Sequence, residues 1–229
     1  MPGVGGSAET GTGSGRRVMK VVLATHNRDK VKEIRRILAG LDLEMTTVDD
    51  YDDVPEPVED GETLTDNAII KAREIRDFTG VSAIADDTGL EVDALNGAPG
   101  IYAARFAGED ASYEDNCNKL IHDMDGVEAG QRGAAFKTVI ALALNPEDRN
   151  GLGGKMGDVM LAEGILHGTV ATSRRGVGGF GYDPVFVDNA TGKSLAELTP
   201  EEKNSSSHRY RALVEMRELM LRLGLVSEI

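Results

Sequence analysis

The segment Val81-Ser-Ala-Ile-Ala-Asp-Asp-Thr-Gly-Leu-Glu-Val-Asp93 places two adjacent aspartates, Asp86 and Asp87, at the end of a short apolar run. This pattern predicts a buried strand that ends at Asp86, with Leu90 to Leu95 as a further strand. Carboxylates at the end of a strand lie on a rigid rim, where a hard divalent cation can bind. The alternative is a strand that ends in a solvated acidic turn.

Strand and helix patterns alternate on both sides of this segment. Val18 to Ala24 predicts a buried first strand, and Val31, Ile34 and Leu38 then share one face of a helix. The further predicted elements are a strand over 43–48, a helix from Leu64 to a stop at Gly80, a helix from a Ser112 cap to Met124, a strand over 136–144, a short strand over 184–187, a helix from a Thr199 cap and a last helix from about Ser207. This alternation predicts an α/β fold.

Three stretches interrupt this order. Residues 49–61 form an acidic, proline-containing loop, and loops of that length are typically functional or mobile. Residues 145–157 are rich in glycine and are predicted as an exposed loop. Residues 159–171 have strand character, but Gly164 and Gly168 weaken a strand interior and favour a hairpin or a bulge there.

Length and composition limit the class of protein. With 229 residues, the chain suits one α/β domain or two closely joined lobes. Residues 1–16 are rich in Gly, Ser and Thr without periodicity, which predicts a disordered tail before a domain over 17–229. The tail lacks the basic start and apolar stretch of a secretory signal. No run approaches the roughly 18 apolar residues of a membrane span.

Charge and cysteine content narrow the partners and the compartment. The formal net charge of −14 argues against a nucleic-acid polymer, because neutralising its phosphates requires clustered Lys and Arg. A small phosphorylated ligand is compatible with this charge, since it needs only a local basic pocket and a metal. Cys117 is the single cysteine, which rules out intrachain disulfides and fits a reducing cytoplasm. Its helical neighbours are apolar, so we expect a small buried hydrophobe.

Two basic clusters lie at junctions between predicted elements. Thr25-His-Asn-Arg-Asp-Lys30 joins the first strand to the first helix, where backbone N–H groups and Lys30 form a cradle suited to phosphate. The alternative is a set of caps and solvated charges. Lys203-Asn-Ser-Ser-Ser-His-Arg209 precedes the last helix and suits an anionic or carbonyl-bearing ligand. The alternative there is a serine N-cap, with the basic residues facing solvent.

An acidic loop and a glycine-rich loop supply the remaining clusters. One of the acids in residues 56–62 could complete a magnesium site opposite Asp87, while the others are merely solvated. Gly178-Gly-Phe-Gly-Tyr-Asp183 permits close approach of its backbone to a flat ligand, and an aromatic ring there can stack on a base. The alternative is a tight turn with buried aromatic side chains.

Six segments then match one known family in order. They are Leu23-Ala-Thr-His-Asn-Arg-Asp-Lys30, Thr65-Asp-Asn-Ala68 with Lys71-Ala72, Ala85-Asp-Asp-Thr-Gly-Leu-Glu-Val-Asp-Ala94, Gly97-Ala-Pro-Gly-Ile-Tyr-Ala-Ala-Arg105, Phe180-Gly-Tyr-Asp-Pro184, and Glu202-Lys-Asn through Ser207-His-Arg209. Over about Val18 to Leu223 the chain resembles the inosine triphosphate pyrophosphatase family, whose members remove non-canonical purine nucleotides. It departs from that family at His26, where glycine is usual, and at Thr88 and Ala103, where serine is usual.

The resemblance implies a two-lobed α/β fold around a long mixed β-sheet, with the site in the cleft between the lobes. It also implies a homodimer, Mg²⁺ as cofactor and a nucleoside triphosphate as substrate. Asp87 would support the metal and activate water, with Glu59 as the second metal carboxylate. The residues that the resemblance assigns to substrate binding are Thr25, His26, Asn27, Arg28, Asp29, Lys30, Thr88, Phe180, Gly181, Tyr182, Asp183, Lys203, His208 and Arg209.

The implied activity is hydrolysis of ITP, dITP and XTP to the monophosphate and pyrophosphate. Mg²⁺ and Lys30 would neutralise the departing pyrophosphate while Asp87 takes a proton. His208 and Arg209 would favour a carbonyl at purine position 6 over the amino group of adenine. Two alternatives stay open: a related enzyme acting on other nucleotides such as modified pyrimidines, and a nucleotide-binding module without turnover.

Overall fold

A computed structural model describes residues 18–153, 157–203 and 205–229, so the predicted tail at 1–16 lies outside the described residues. Strands are β1 (Met19–Leu23), β2 (Leu43–Thr47), β3 (Ser82–Val92), β4 (Pro99–Gly100), β5 (Gly133–Ala143), β6 (Val159–Val170) and β7 (Phe186–Asp188). Helices are α1 (Arg28–Ile37), α2 (Leu64–Thr79), α3 (Tyr113–Asp123), α4 (Pro146–Gly151), α5 (Pro200–Lys203) and α6 (His208–Arg222).

The strands form one mixed sheet. Their order is β2-β1-β3-β5-β6-β7, and β4 pairs separately with β3. β1 runs parallel to both β2 and β3. The pairs β3–β5, β5–β6 and β6–β7 are antiparallel. With 11, 11 and 12 residues, β3, β5 and β6 are the long strands that span the molecule. The predicted α/β fold around a long mixed sheet is confirmed.

The long strands carry separate hydrophobic clusters at their two ends, which confirms the two-lobed architecture. Ile84 of β3 packs with apolar residues of α1 and α6, and Leu90 of the same strand packs with those of α3. Ala83 and Ala85 alternate with Ile84 and therefore face the other side of the sheet, where they pack against α2. The polar residues of β3 lie between the two ends.

Local capping chemistry sets the helix boundaries. The Thr63 side chain accepts a hydrogen bond from the backbone of Asp66, and Gly80 ends α2 in the left-handed region at φ 70°. The predicted capping box at Ser112 and the predicted stop at Gly80 are both confirmed. Ser207 caps α6 by accepting a hydrogen bond from the backbone N–H of Tyr210, which confirms the serine N-cap predicted before this helix.

The prediction that a strand ends at Asp86 is wrong. β3 continues to Val92 because β5 supplies a ladder partner for each residue from Ala83 onward. Asp93–Leu95 forms a 3-10 turn, so the separate strand expected over 90–95 does not exist. Both aspartates therefore lie inside a strand rather than at its end, and ion pairs compensate them instead of a solvated turn.

The expected hairpin or bulge over 159–171 is also wrong, because β6 is one uninterrupted strand. Its glycines serve close packing. A Cβ on Gly164 would lie 2.0 Å from the carbonyl oxygen of His208, and one on Gly168 would lie 2.4 Å from that of Val187. Glycine at these positions allows α6 and β7 to approach the strand.

Two further expectations are settled by the described residues. Part of the loop predicted over 145–157 is helix α4, whose N-terminus is capped by Asn145. Residues 154–156 lie outside the description. Cys117 is buried within α3, as predicted. Across the ranges described, no helix combines the length and apolar character needed to cross a membrane.

We predict that Gly164→Ala destabilises the protein by about 1–3 kcal/mol or more, because the new methyl group collides with the backbone of α6. The control is Gly130→Ala, since no heavy atom lies within 4 Å of a Cβ added there. This control should change stability by less than about 0.5 kcal/mol. Urea unfolding of both variants measures the difference, and equal stabilities would contradict the close-packing role.

Candidate active site

The open edge of β3 determines where the site lies. β1 pairs with β3 only from Ser82 to Ile84, and β4 pairs with it only at Leu90 and Glu91. A cleft with about 660 Å³ of empty space, part of it open to solvent, adjoins the intervening stretch. Its lining residues are Asn27, Lys30, Thr88, Ala103, Ala104, Tyr113, Asn116, Phe136, Phe180, Gly181, Tyr182, Asp183, Lys203, His208 and Arg209. The cleft thus gathers most of the residues that the sequence assigned to substrate binding.

Asp86 is held by cations from two helices. Its Oδ2 lies 3.2 Å from Lys30 Nζ of α1 and accepts hydrogen bonds from Arg209 Nε and Nη2 of α6 at 3.1 and 3.0 Å. Burial alone would raise the pKa of Asp86, but Lys30 and Arg209 hold that pKa well below its usual value. Asp86 is therefore a buried anion whose ion pairs all lie on Oδ2.

Asp87 points to the opposite face of β3 and meets α2. Its Oδ1 accepts a hydrogen bond from Lys71 Nζ at 2.8 Å, and the same Nζ lies 3.3 Å from Glu59 Oε1. Burial raises the pKa of Asp87, and Lys71 only partly opposes that rise. The two predicted metal ligands, Asp87 and Glu59, are thus brought together around one lysine.

The aspartate pair also contains the oxygens available to a cation. Among the described residues, Asp86 Oδ1 and Asp87 Oδ2 are buried without a hydrogen-bond partner. Within the part of the chain that the structure describes, no group of three or more His, Cys, Asp or Glu side chains is arranged to hold a metal ion. Mg²⁺ commonly binds through one or two carboxylates, with water and substrate phosphate completing the shell. This donor set fits Mg²⁺ better than a metal that needs a complete protein cage.

A fourth carboxylate, Glu33 of α1, contacts the basic residues near the last helix. Its Oε2 accepts from Arg209 Nη1 at 2.6 Å, and its Oε1 lies 2.9 Å from Lys203 Nζ. Lys203 also donates to Asp183 at 2.6 Å, and its Nζ lies 4.3 Å from the centre of the Phe180 ring. The cations at the cleft are therefore fixed in position before any ligand binds.

The glycine-rich loop places one aromatic ring at the cleft and buries the other. Asp183 accepts from the backbone N–H of Phe180 at 2.8 Å, which closes the turn. Tyr182 is buried and its hydroxyl donates to the carbonyl of Ala103 at 2.8 Å. Phe180 is thus the ring in this loop that a ligand can reach, with the Tyr113 ring centre 6.0 Å away.

The predicted phosphate loop, residues 25–30, is divided between cleft and surface. Asn27 caps α1 by accepting from the backbones of Asp29 and Lys30, and its amide donates to Tyr113 Oη at 2.9 Å. His26 is exposed, and its Nδ1 lies 2.6 Å from Asp49 Oδ1. The other members lie outside the cleft lining: Arg28 is exposed, the Thr25 hydroxyl accepts from the Asn27 backbone, and the Asp29 side chain pairs with Lys32.

Glu33 and Lys71 were not assigned a role from the sequence, and Asp86 was considered only as part of an acidic pair suited to a cation. A signal existed for Lys71, which occupies the inward stripe of α2 between Ala68 and Ile75, where an apolar residue is expected. Glu33 lies one turn after Lys30 on α1, on the same side of the helix. Neither position reveals its partner without the tertiary fold.

The profile of the Ham1 family matches residues 21–219. The chain belongs to the Ham1 family. A dITP/XTP pyrophosphatase of Elusimicrobium minutum is 48% identical over 198 residues, which cover 85% of this chain and 95% of that protein. A dITP/XTP pyrophosphatase of Geobacter sulfurreducens is 45% identical over 87% of this chain and 95% of its own length. The family resemblance identified from the sequence is confirmed.

Solved Ham1 structures share the fold. A HAM1 protein from Coxiella burnetii superimposes with a TM-score of 0.79 at 35% identity, covering 89% of this chain and 99% of that protein. A nucleoside-triphosphatase, dITP/XTP pyrophosphatase, from Mycobacterium abscessus has a TM-score of 0.67 at 39% identity, covering 86% and 98%. The roles of the individual site residues in this chain remain predictions.

The unequal compensation of the two aspartates predicts unequal effects of removing their charges. We expect Asp86→Asn to destabilise the protein by about 3–5 kcal/mol, because Lys30 then loses its buried ion-pair partner and Arg209 keeps only Glu33. Asp87→Asn should change stability by no more than about 1–2 kcal/mol, because Lys71 keeps Glu59 as a second carboxylate partner. Urea unfolding at pH 7 with a chelator present compares the variants.

The pH dependence of stability provides a check on the same assignment. The pKa of Asp86 is lower in the folded than in the unfolded state, so its stabilising contribution is present above about pH 4 and is lost as pH falls further. Asp86→Asn should therefore lose less stability than the wild type between pH 5 and pH 3 (about these values, from the unfolded carboxyl pKa). Parallel acid profiles for the two proteins would contradict this account.

Proposed function

We propose that the chain is a Mg²⁺-dependent nucleoside triphosphate pyrophosphohydrolase that converts ITP, dITP and XTP to the monophosphate and pyrophosphate. The observation that carries the proposal is the free carboxylate oxygen of Asp87, which is buried, unpartnered among the described residues and close to Lys71. The similarity to proteins named dITP/XTP pyrophosphatase supports the same substrate class.

The reaction needs a base and positive charge at separate points. A water oxygen bonds to the α phosphorus, the bond from that phosphorus to the α–β bridging oxygen breaks, and pyrophosphate leaves with the electron pair. The water proton passes to Asp87, the carboxylate proposed as the general base. Lys30 and Lys71 lie beside the aspartate pair and offset negative charge on the pyrophosphate.

Asp87 and Glu59 would hold Mg²⁺, because both carboxylates meet at Lys71 and one oxygen of Asp87 has no hydrogen-bond partner among the described residues. When bound, Mg²⁺ supplies charge neutralisation and Lewis acidity at the phosphate oxygens. Lys71 keeps the two carboxylates together in the absence of metal, since its Nζ contacts both. This arrangement limits the repulsion between the carboxylates until a cation arrives.

The other end of the cleft would bind the base. Phe180 offers the accessible ring for stacking, and His208 lies at the cleft with the cations Lys203 and Arg209 nearby. Hydrogen bonds to Asp86, Glu33 and Thr88 use four of the five N–H groups of Arg209, so this residue has one N–H left on Nη1 for a ligand. His208 thus becomes the principal candidate for reading the 6-oxo edge.

The family resemblance also motivates two proposals about setting: the enzyme is a homodimer, and it works in the cytoplasm. A single buried cysteine is consistent with a reducing compartment. Equilibrium sedimentation tests the first proposal directly. The site residues described above all belong to one chain.

We predict that Asp87→Asn lowers the turnover number by about 10²–10⁴-fold, because the proton acceptor is lost. Its folded structure should persist, as circular dichroism can verify. The wild type should release one pyrophosphate and one monophosphate for each dITP consumed, measured without added pyrophosphatase. Release of orthophosphate alone would overturn the proposed cleavage position, and intact dITP after long incubation with Mg²⁺ would favour the binding module.

Mg²⁺ binding has a readout that does not depend on turnover. With a non-hydrolysable ITP analogue present, we expect Mg²⁺ to raise the Tm of the wild type above its value with a chelator. Asp87→Asn should lose most of this increase, because the free carboxylate oxygen is gone. A Tm that is equal with Mg²⁺ and with chelator in the wild type would contradict the metal site.

A further inference from the structure

We propose that Thr138 is a positioning residue that fixes the tautomer of His208 and thereby sets the preference for a 6-oxo purine. The inference rests on the proposed function, because it concerns the same base pocket. Thr138 is fully buried in β5, and its hydroxyl lies 2.7 Å from His208 Nδ1. It is the polar side chain that contacts the imidazole ring directly.

Thr138 belongs to a row of register partners across three strands. Thr88 of β3 is its partner on one side, and Gly164 of β6 is its partner on the other. The Thr88 and Thr138 hydroxyl oxygens are 2.7 Å apart. Because Gly164 has no side chain, the start of α6 packs directly on the row, which brings His208 to the Thr138 hydroxyl. The geometry is fixed by backbone packing rather than by a flexible loop.

The donors around the row determine the direction of its hydrogen bonds. Asp86 Oδ2 already receives two N–H bonds from Arg209 and lies 3.2 Å from Lys30. The Thr88 hydroxyl accepts from Arg209 Nη2 at 3.2 Å and has two possible acceptors for its own proton, Asp86 Oδ2 at 3.4 Å and the Thr138 hydroxyl at 2.7 Å. We assign the Thr88 proton to the shorter contact with Thr138, and hence the Thr138 proton to His208 Nδ1. Nδ1 accepts, so Nε2 carries the ring proton.

The surroundings keep this ring neutral and oriented. Burial, together with Arg209 and Lys203, lowers the pKa of His208 well below its usual value. Phe136 stacks on the imidazole, with ring centres 4.5 Å apart and planes 26° apart. A neutral imidazole with a fixed tautomer has one donor and one acceptor at known positions.

The direction of the hydrogen bonds from Thr88 to Thr138 and from Thr138 to His208 decides which group His208 presents to a ligand in the base pocket. His208 lines the cleft with Nδ1 engaged by Thr138, so the N–H at Nε2 is the group offered to a ligand. That donor pairs with the carbonyl at position 6 of hypoxanthine or xanthine. The amino group of adenine would present a donor to the same donor, which leaves a buried N–H unpaired. Thr138 therefore contributes to specificity without contacting the substrate.

Nitrogen NMR of the ¹⁵N-labelled full chain tests the tautomer without any substrate. The sequence has four histidines, and the His208→Gln variant identifies the signals of His208. At pH 7 we expect a protonated Nε2 and an unprotonated Nδ1. In Thr138→Val the Nδ1 resonance should shift because its donor is removed, and in Thr138→Ser it should return to the wild-type position. A protonated Nδ1 in the wild type, or an unchanged resonance in Thr138→Val, would overturn the inference.

Kinetics of the same variants test the consequence for specificity. Thr138→Val should lower kcat/KM for dITP about threefold to tenfold, the effect of losing one hydrogen bond, and lower it less for dATP. Thr138→Ser should retain the wild-type ratio. Equal losses for both nucleotides in a variant with wild-type Tm would reject the specificity role. If the wild type fails to hydrolyse dITP, the proposed function fails, while the NMR spectrum still decides whether Thr138 fixes the tautomer.

Discussion

Two neighbouring carboxylates inside one strand repel each other and lose hydration, so the fold must supply counter-charges for them. Asp86 and Asp87 impose this constraint in the middle of β3. Side chains alternate between the faces of a strand, and the demand is therefore divided. One face recruits Lys30 and Arg209, the other recruits Lys71. Helices α1, α6 and α2 are thus tied to the centre of the sheet by charge as well as by apolar packing.

The division of charge also separates structural from chemical roles. Asp86 has two cations and a lowered pKa, so its anionic form is the stable state of the fold. Asp87 has one lysine and a raised pKa, so its charge is only partly offset. A residue of this second kind gains most from a ligand that brings positive charge or donates a proton. We therefore expect Asp87, the carboxylate that the fold stabilises less, to be the one that takes part in the reaction.

Sequence periodicity and capping residues predicted every described α-helix except α4, and the strands β1 and β2, because these depend on neighbours along the chain. Ser112 and Gly80, for example, act within one helical turn. The course of β3 past Asp86 depended on β5, and the continuity of β6 depended on helix packing at Gly164, so local rules failed at both. The loops that contribute to phosphate and base binding could be recognised from the sequence as polar junctions between elements. The roles of Lys71, Glu33 and Thr138 could not be predicted, because each acts through a residue that is distant in sequence.

The concentration of cations around the cleft constrains how a base can be read there. Lys30, Lys203 and Arg209 all disfavour a protonated imidazole, so His208 cannot contribute a further positive charge. Recognition must then come from a neutral dipole, whose sign depends on which ring nitrogen holds the proton. A neutral ring has no intrinsic charge to enforce that choice. In the proposed arrangement the ion pairs of Asp86 favour this choice, because they occupy Asp86 Oδ2 and leave Thr88 a longer contact to it, 3.4 Å, than the 2.7 Å contact to Thr138.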